Sequence, residues 1–303
     1  MDRATRRIVE ALIEQRTGEP ARWIEDRATA GGCIHDARIV SLADGRSFFV
    51  KSRNESARAP GIFDREAEGL RALGAAFAAL ETAATVRVPD VIGTATGPPS
   101  VLVLEAIETG SSGADTQTAL GRGLAAMHRA TASTRFGFDH DNYLGETPQP
   151  NGWLDDWVTF WRQRRLGHQL DLARRNGLSD PTLDRLGDRL LDRLDVILGE
   201  VDEPACLLHG DLWGGNVLVD ATGRPVLIDP ATYFGHREAE LAMTALFGGF
   251  GPAFYRAYEE TWPLPPGAEA RRPLYELYHM LNHLNLFGSG YRSSCLERLR
   301  RLV

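Results

Sequence analysis

Lysine is nearly absent from this chain of 303 residues: of its 34 basic residues only Lys51 is a lysine, and every other one is arginine. A bias toward Arg, Ala and Gly has replaced lysine wherever either cation serves. The survivor marks a place that needs a compact ammonium on a slim stem, which a broad planar guanidinium does not replace. Cysteine is also scarce. Cys33, Cys206 and Cys295 are odd in number, far apart and without paired metal-type spacing, which excludes a disulfide framework and a zinc site and leaves reduced thiols. An excess of positive charge is missing too, the formal net charge being -7, so nucleic acid and anionic membrane are excluded as partners and small molecules are favoured. No segment reaches membrane-spanning length. The stretch MDRATRRIVEALIEQRTGEP carries early positive charge but no apolar run of signal-sequence length, so a cytoplasmic protein is expected. Internal repeats, low-complexity tracts and coiled-coil heptads are lacking, and nothing indicates an obligate protein partner.

What is present suffices for a large core, with 43% hydrophobic and 25% charged residues, in one large domain or two lobes. The first hundred residues read mostly as strands and turns. Ala37 to Leu42 and Ser47 to Lys51 are strand formers joined by Asp44-Gly45, a hairpin signal. Phe63 to Leu80 changes to helical spacing, with Leu70, Leu73 and Phe77 on one side. Val86 to Ala95 and Ser100 to Glu105 resume the strand pattern around the turn Thr96-Gly97-Pro98-Pro99. From about Gly110 the pattern is helical, over Thr118 to Ala130, Leu154 to Arg175 and Pro181 to Leu198, and again at the end of the chain. Two short apolar strands, Val217 to Val219 and Pro225 to Ile228, interrupt it. The polar segment Glu108-Thr109-Gly110-Ser111-Ser112-Gly113 is the expected boundary, giving lobes 1–108 and 109–303.

The densest chemical signal is His209-Gly210-Asp211-Leu212-Trp213-Gly214-Gly215-Asn216, followed by the hairpin that ends in Asp229. It has the order of a kinase catalytic loop: an aspartate, an asparagine five residues on, then a strand pair delivering a second aspartate. Phosphoryl transfer needs a hydroxyl held in line and phosphate charge neutralised by metal. The carboxylate of Asp211 suits the first task. Asn216 and Asp229 are hard oxygen ligands of the kind magnesium prefers. Each piece alone is ordinary loop chemistry; their order and spacing together point to a kinase.

The segment LLHGDLWGGNVLVDATGRPVLIDPATYFGHREAELAMTALFGGF resembles the signature of the fructosamine kinase family, also called ketosamine-3-kinases, relatives of the aminoglycoside and choline phosphotransferases. The likeness extends through GGCIHDA, FFVK, FDREAEGLRAL, NGWLDDWVTFWRQRRLGHQLDLA and LYELYHMLNHLNLFGSGY. It implies an α+β, bilobal, protein-kinase-like fold with a small antiparallel-sheet N-lobe and a mainly helical C-lobe. It implies ATP and Mg2+ as cofactors and a free or protein-bound ketosamine, fructosamine or ribulosamine, as the substrate phosphorylated at the 3-hydroxyl, a deglycation reaction. By the same likeness Lys51 pairs with the nucleotide phosphates and Glu66 steadies it. Gly31 and Gly32 would cover the phosphates, and Glu105 to Ile107 would be the hinge that reads adenine. Two other functions compete: a related kinase acting on an aminoglycoside, choline or sugar hydroxyl, and a nucleotide-binding pseudokinase.

Some residues keep two readings. Cys33, in the phosphate-covering turn, is either a redox-sensitive thiolate or a small apolar residue. Trp213 either stacks on the substrate sugar or is a buried aromatic of the loop. His209 reads as a packing and hydrogen-bonding post. Glu240 falls where relatives often have aspartate and is a candidate for steadying the catalytic loop. Trp153, Trp157 and Trp161 have helical spacing and read as core or cleft wall.

Overall fold

The computed structural model describes residues 1–29, 36–53, 59–80, 86–199 and 201–303. Its first element is a helix, α1 (Arg3–Thr17), where strands and turns were expected. Asp2 caps it, accepting from the Thr5 N–H at 2.8 Å, and Gly18 ends it at φ 73°. Its apolar stripe is narrow, centred on Val9 and Ile13 among arginines and glutamates, and is stable only because it lies on a sheet. That sheet contains β1 (Trp23–Ala28), β2 (Asp36–Leu42) and β3 (Ser47–Arg53), then, after α2 (Ile62–Ala78), β4 (Val91–Ala95) and β5 (Ser100–Glu105). All neighbours are antiparallel, in the order β1-β2-β3-β5-β4. Strand alternation divides β3 between two cores. Phe48 and Val50 join Val9 and Ile13 on the α1 side. Phe49 packs with Phe63, Ala67 and Leu70 of α2, and Lys51, two residues on, shares that face.

The remainder is mostly helical: α3 (Ala114–Ala130), the small hairpin β6 (Asn142–Leu144) and β7 (Thr147–Gln149), α4 (Trp157–Phe160), α5 (Gly167–Arg175) and α6 (Pro181–Leu198). Then come β8 (Cys206–Leu208), the pair β9 (Val217–Val219) and β10 (Pro225–Leu227), β11 (Tyr233–Gly235), α7 (Arg237–Leu246), α8 (Pro252–Thr261), α9 (Ala268–Phe287) and α10 (Arg292–Leu302). Two expectations are corrected. The helix expected over Leu154 to Arg175 begins at Trp157, because Leu154 pairs with Phe136 as an isolated bridge, and it widens to a π-helix over Trp161–Leu166. There the Gly167 N–H bonds Arg162 O, and a Cβ at Gly167 would lie 2.4 Å from that oxygen. The strand expected from Val86 starts at Val91. Arg87 instead binds the β9–β10 hairpin, its N–H donating to Pro225 O at 3.1 Å and its carbonyl accepting from Leu227 N at 2.9 Å.

An apolar cluster crosses between the sheet half and the helical half. Leu73 and Phe77 of α2 pack with Leu120, Leu124, Leu212 and Leu227. Within the helical half α3 and α8 come so close at Gly121 that a Cβ there would lie 2.2 Å from Phe254 O. Gly121→Ala should therefore lower stability by about 1–3 kcal/mol, the usual cost of overpacking. Urea unfolding checks this, with Gly290→Ala, where a Cβ meets nothing within 4 Å, as the unchanged control.

Candidate active site

Three elements meet at one ammonium group. Lys51 on β3 donates to Glu66 Oε1 of α2 at 2.7 Å and to Asp229 Oδ1, beyond β10, at 2.6 Å. Lys51 is buried and Glu66 nearly so, while the Asp229 side chain is 43% exposed and opens to the cleft. Burial opposes charge on Lys51, but the Glu66 and Asp229 carboxylates more than offset it and raise its pKa. Burial, with Asp229 adding to it, pushes Glu66 up against the opposing pull of Lys51.

Asp229 has φ 57°, the one non-glycine residue at positive φ among the described residues. Such a backbone costs on the order of 1–3 kcal/mol and persists only where the surroundings over-determine it. The flanking bonds do so. Ile228 N donates to Asn216 O at 3.1 Å, the His209 ring Nε2 bonds Ile228 O at 2.8 Å, and Ala231 N donates to His209 O at 2.8 Å. His209 thus acts as a hydrogen-bonding post, with its Nδ1 accepting from Asp211 N at 3.3 Å. Gly210, at φ 83°, admits the same loop, since a Cβ there would lie 2.1 Å from Ala231 O.

Asp211 and Asn216 are hydrogen-bonded to each other. Asn216 Nδ2 donates to Asp211 O at 2.8 Å and to its Oδ2 at 3.3 Å. Burial, reinforced by the Asp229 charge, pushes Asp211 up to about 7. Trp213 is not a buried aromatic: it is 38% exposed, lies against Gly215 and stands edge-on to Phe247 with ring centres 6.3 Å apart. Trp157 and Trp161 belong to the core, whereas Trp153 is only partly buried beside Phe234. Glu105 ends β5 with its carboxylate paired to Arg87 and its N–H given to Asp90 O at 2.9 Å, and Ile107 follows on the way to α3. Gly31, Gly32 and Cys33 lie outside the described residues.

Beneath the loop sits Glu240 of α7, fully buried. Its Oε2 accepts from His209 N at 2.5 Å and its Oε1 from Gly210 N at 3.1 Å. His128, unnoticed in the sequence, stands 3.6 Å behind it and is held by Tyr258 OH at 2.8 Å. Nothing local flags His128; it is one polar residue at a buried position of α3. Among the described residues no three His, Cys, Asp or Glu side chains gather into a metal cluster. A cation at this cleft would draw on Asp229 and the Asn216 amide, with phosphate oxygens completing its shell.

The protein-kinase-like fold is shared with crystal structures of aminoglycoside phosphotransferase APH(4)-Ia, one of which superposes with a TM-score of 0.61 at 16% identity, covering 99% of this chain and 100% of that one. Residues 5–303 match the family model for fructosamine kinase. The chain belongs to the fructosamine kinase family. It is 43% identical over 296 residues to the probable ketoamine kinase of Synechocystis, covering 96% of this chain and 94% of that one. It is 45% identical over 270 residues to the chloroplastic protein-ribulosamine 3-kinase of rice (Oryza sativa subsp. japonica), covering 88% and 75%. A crystal structure assigned as a fructosamine-3-kinase from Thermobifida fusca superposes with a TM-score of 0.84 at 35% identity, covering 97% and 98%. No helix among the described residues is long and apolar enough to cross a membrane.

Glu240→Ala should cost about 3 kcal/mol in urea unfolding, because it orphans two buried N–H donors at roughly 1–3 kcal/mol each. Glu240→Gln, which keeps one acceptor oxygen, should fall between that variant and the wild type. Equal stability of all three would show that the carboxylate does not hold the loop.

Proposed function

We propose that this chain transfers the terminal phosphoryl group of ATP to the 3-hydroxyl of a ketosamine, fructosamine or ribulosamine, in the cytoplasm. The observation that carries this reading is the convergence of Glu66 and Asp229 on the Lys51 ammonium, with Asp211, bound to Asn216, near enough to feel the Asp229 charge. The names of its relatives support the acceptor class: ketoamine kinase and protein-ribulosamine 3-kinase. We take the lobes as residues 1–108 and 109–303, with Glu105 to Ile107 as the hinge whose backbone groups would meet adenine, and Gly31 and Gly32 as the cover over the phosphates.

In this reading Lys51 holds the α and β phosphates, and Glu66 keeps the ammonium aimed at them. Asn216 and Asp229 would hold magnesium, whose charge would neutralise the phosphates as the leaving group departs. Asp211 accepts a hydrogen bond from the attacking hydroxyl, orients its oxygen and takes its proton. Its raised pKa makes it a better base than an exposed carboxylate. Trp213, half-exposed two residues on, is the candidate to stack on the sugar. Phosphorylation turns a poor leaving group next to the ketose carbonyl into a good one. Loss of a C1 proton gives the 1,2-enaminol, the C3–O bond breaks to release inorganic phosphate, and water hydrolyses the resulting imine to the free amine and a 3-deoxyosone, so the reaction is deglycation.

An acceptor screen with magnesium and ATP tests this, comparing fructoselysine and ribuloselysine with an aminoglycoside, choline and free sugars. Phosphate on the third carbon of a ketosamine is the expected result; transfer only to another alcohol overturns the acceptor assignment. Asp211→Asn should lower kcat by roughly a thousandfold, within the usual range for a lost general base, while nucleotide binding persists. Lys51→Arg should lower kcat/KM for ATP by about a hundredfold, the scale of one lost phosphate-stabilising donor.

A further inference from the structure

The small β6–β7 hairpin, outside the catalytic constellation, touches both halves of it. Strand alternation sends neighbouring side chains of β6 to opposite sides. Tyr143 packs with the cluster of Ile62, Phe63 and Ala67, and its hydroxyl donates to Pro60 O at 2.8 Å, just ahead of α2. Leu144 enters the core of the helical half. Asn142 Nδ2 donates to Thr232 O at 2.8 Å, and Gln149 Nε2 to Ala231 O at 3.0 Å. Those carbonyls lie two and three residues beyond Asp229. At the hairpin turn Glu146 accepts from Arg53 Nη2 at 2.7 Å, two residues beyond Lys51 on β3.

The amides are fixed from behind. Asn142 Oδ1 accepts from both Gln149 and Asn151 at 2.8 Å, Gln149 Oε1 accepts from Tyr278 OH at 2.7 Å, and Asn151 Oδ1 accepts from the buried Arg165 at 2.8 Å. A buried, interlinked network of this kind is stiff, because a shift of one amide breaks bonds to several partners. α2 also leans directly on the same loop: a Cβ at Gly69 would lie 2.8 Å from Thr232 Oγ1 and 3.2 Å from Pro230. α2, the hairpin and residues 230–232 therefore form a closed triangle. Glu66 rides on one side of it, and Asp229 adjoins another.

We propose that the β6–β7 hairpin is a positioning strap, which holds α2 and its Glu66 against the Asp229 loop through Asn142, Tyr143, Glu146 and Gln149. This rests on Lys51, Glu66 and Asp229 being the nucleotide site, as proposed above. None of the four strap residues is assigned contact with nucleotide or acceptor. They act by keeping the two carboxylates on one ammonium.

The test is the double variant Tyr143→Phe/Glu146→Gln, which cuts the strap at its outer end and leaves the buried amides intact. Mg-ADP binding should weaken about tenfold, within the range such networks carry. Amide exchange of α2 should quicken while that of α6 is unchanged. Glu297→Gln, which removes a surface pair with Arg301 on α10, should change neither. Asn142→Ala should show the same loss from the inner end; if it does not fold, the double variant still decides. Unchanged nucleotide affinity and α2 exchange in the double variant would overturn the strap, as would a uniform rise in exchange through α2 and α6 alike, which marks a merely structural role. Should the wild type phosphorylate no ketosamine, the proposed acceptor falls, while the binding and exchange measurements still read the strap.

Discussion

One buried ammonium between two carboxylates governs the architecture of the cleft. Lys51 and Asp229 are 178 positions apart in the chain, yet their side chains meet at 2.6 Å, and Glu66 closes the group at 2.7 Å. Removing such charges from water is costly, and their mutual attraction offsets the cost only when the geometry is held. Most of the surrounding structure holds it. The β3 strand presents Lys51 to the α2 side of the sheet, and the core of Phe63, Ala67 and Leu70 fixes the turn of helix that carries Glu66. The bonds around Ile228 and Ala231 keep Asp229 in its left-handed backbone. With the Asp229 carboxylate half-exposed, the arrangement is not a closed structural ion pair.

The catalytic loop is tied to the same framework from below. Glu240 receives two successive backbone N–H groups of the loop, and His209 spans from it to the segment before Asp229. Asp211 and Asp229 therefore sit on one hydrogen-bonded unit, and Lys51, held with Glu66, joins it through Asp229. The apolar contact of Leu73 and Phe77 with Leu212 and Leu227 packs α2 against the same loop and hairpin. Polar geometry sets the site, and apolar packing holds α2 to it.

Much of this was legible in the residues. The order aspartate, asparagine, aspartate was readable because each must fall at a fixed place on a short loop and hairpin, which leaves a spacing. Lys51 stood out because arginine had taken every other basic position, whereas Glu66 came from the family resemblance, with the order of a lysine and then a helix glutamate in its support. The boundaries of β5 and α6 were readable from their Glu105 and Asp180-Pro181 ends. Other parts left no such trace. α1 has too narrow an apolar stripe to announce itself, and the π-turn at Trp161–Leu166 changes the hydrogen bonding without changing the pattern. Residues 86–90 look like a strand, but Arg87 pairs with a hairpin more than a hundred residues away. β6 and β7 are too short for periodicity to register, and buried amides bound to distant carbonyls, which no local rule encodes, hold them. Glu240 was marked as a candidate, but its two N–H partners became clear only in three dimensions.

Because the chain holds a single lysine, that side chain can be observed alone. In protein labelled with carbon-13 at the lysine ε position, one methylene resonance reports the central ammonium. The account requires that it stay charged well above the ordinary lysine range of about 10.4, that Asp229→Asn lower its titration point, and that adding Mg-ATP shift its signal. A resonance that titrates like an exposed lysine and ignores both the substitution and the nucleotide would contradict it.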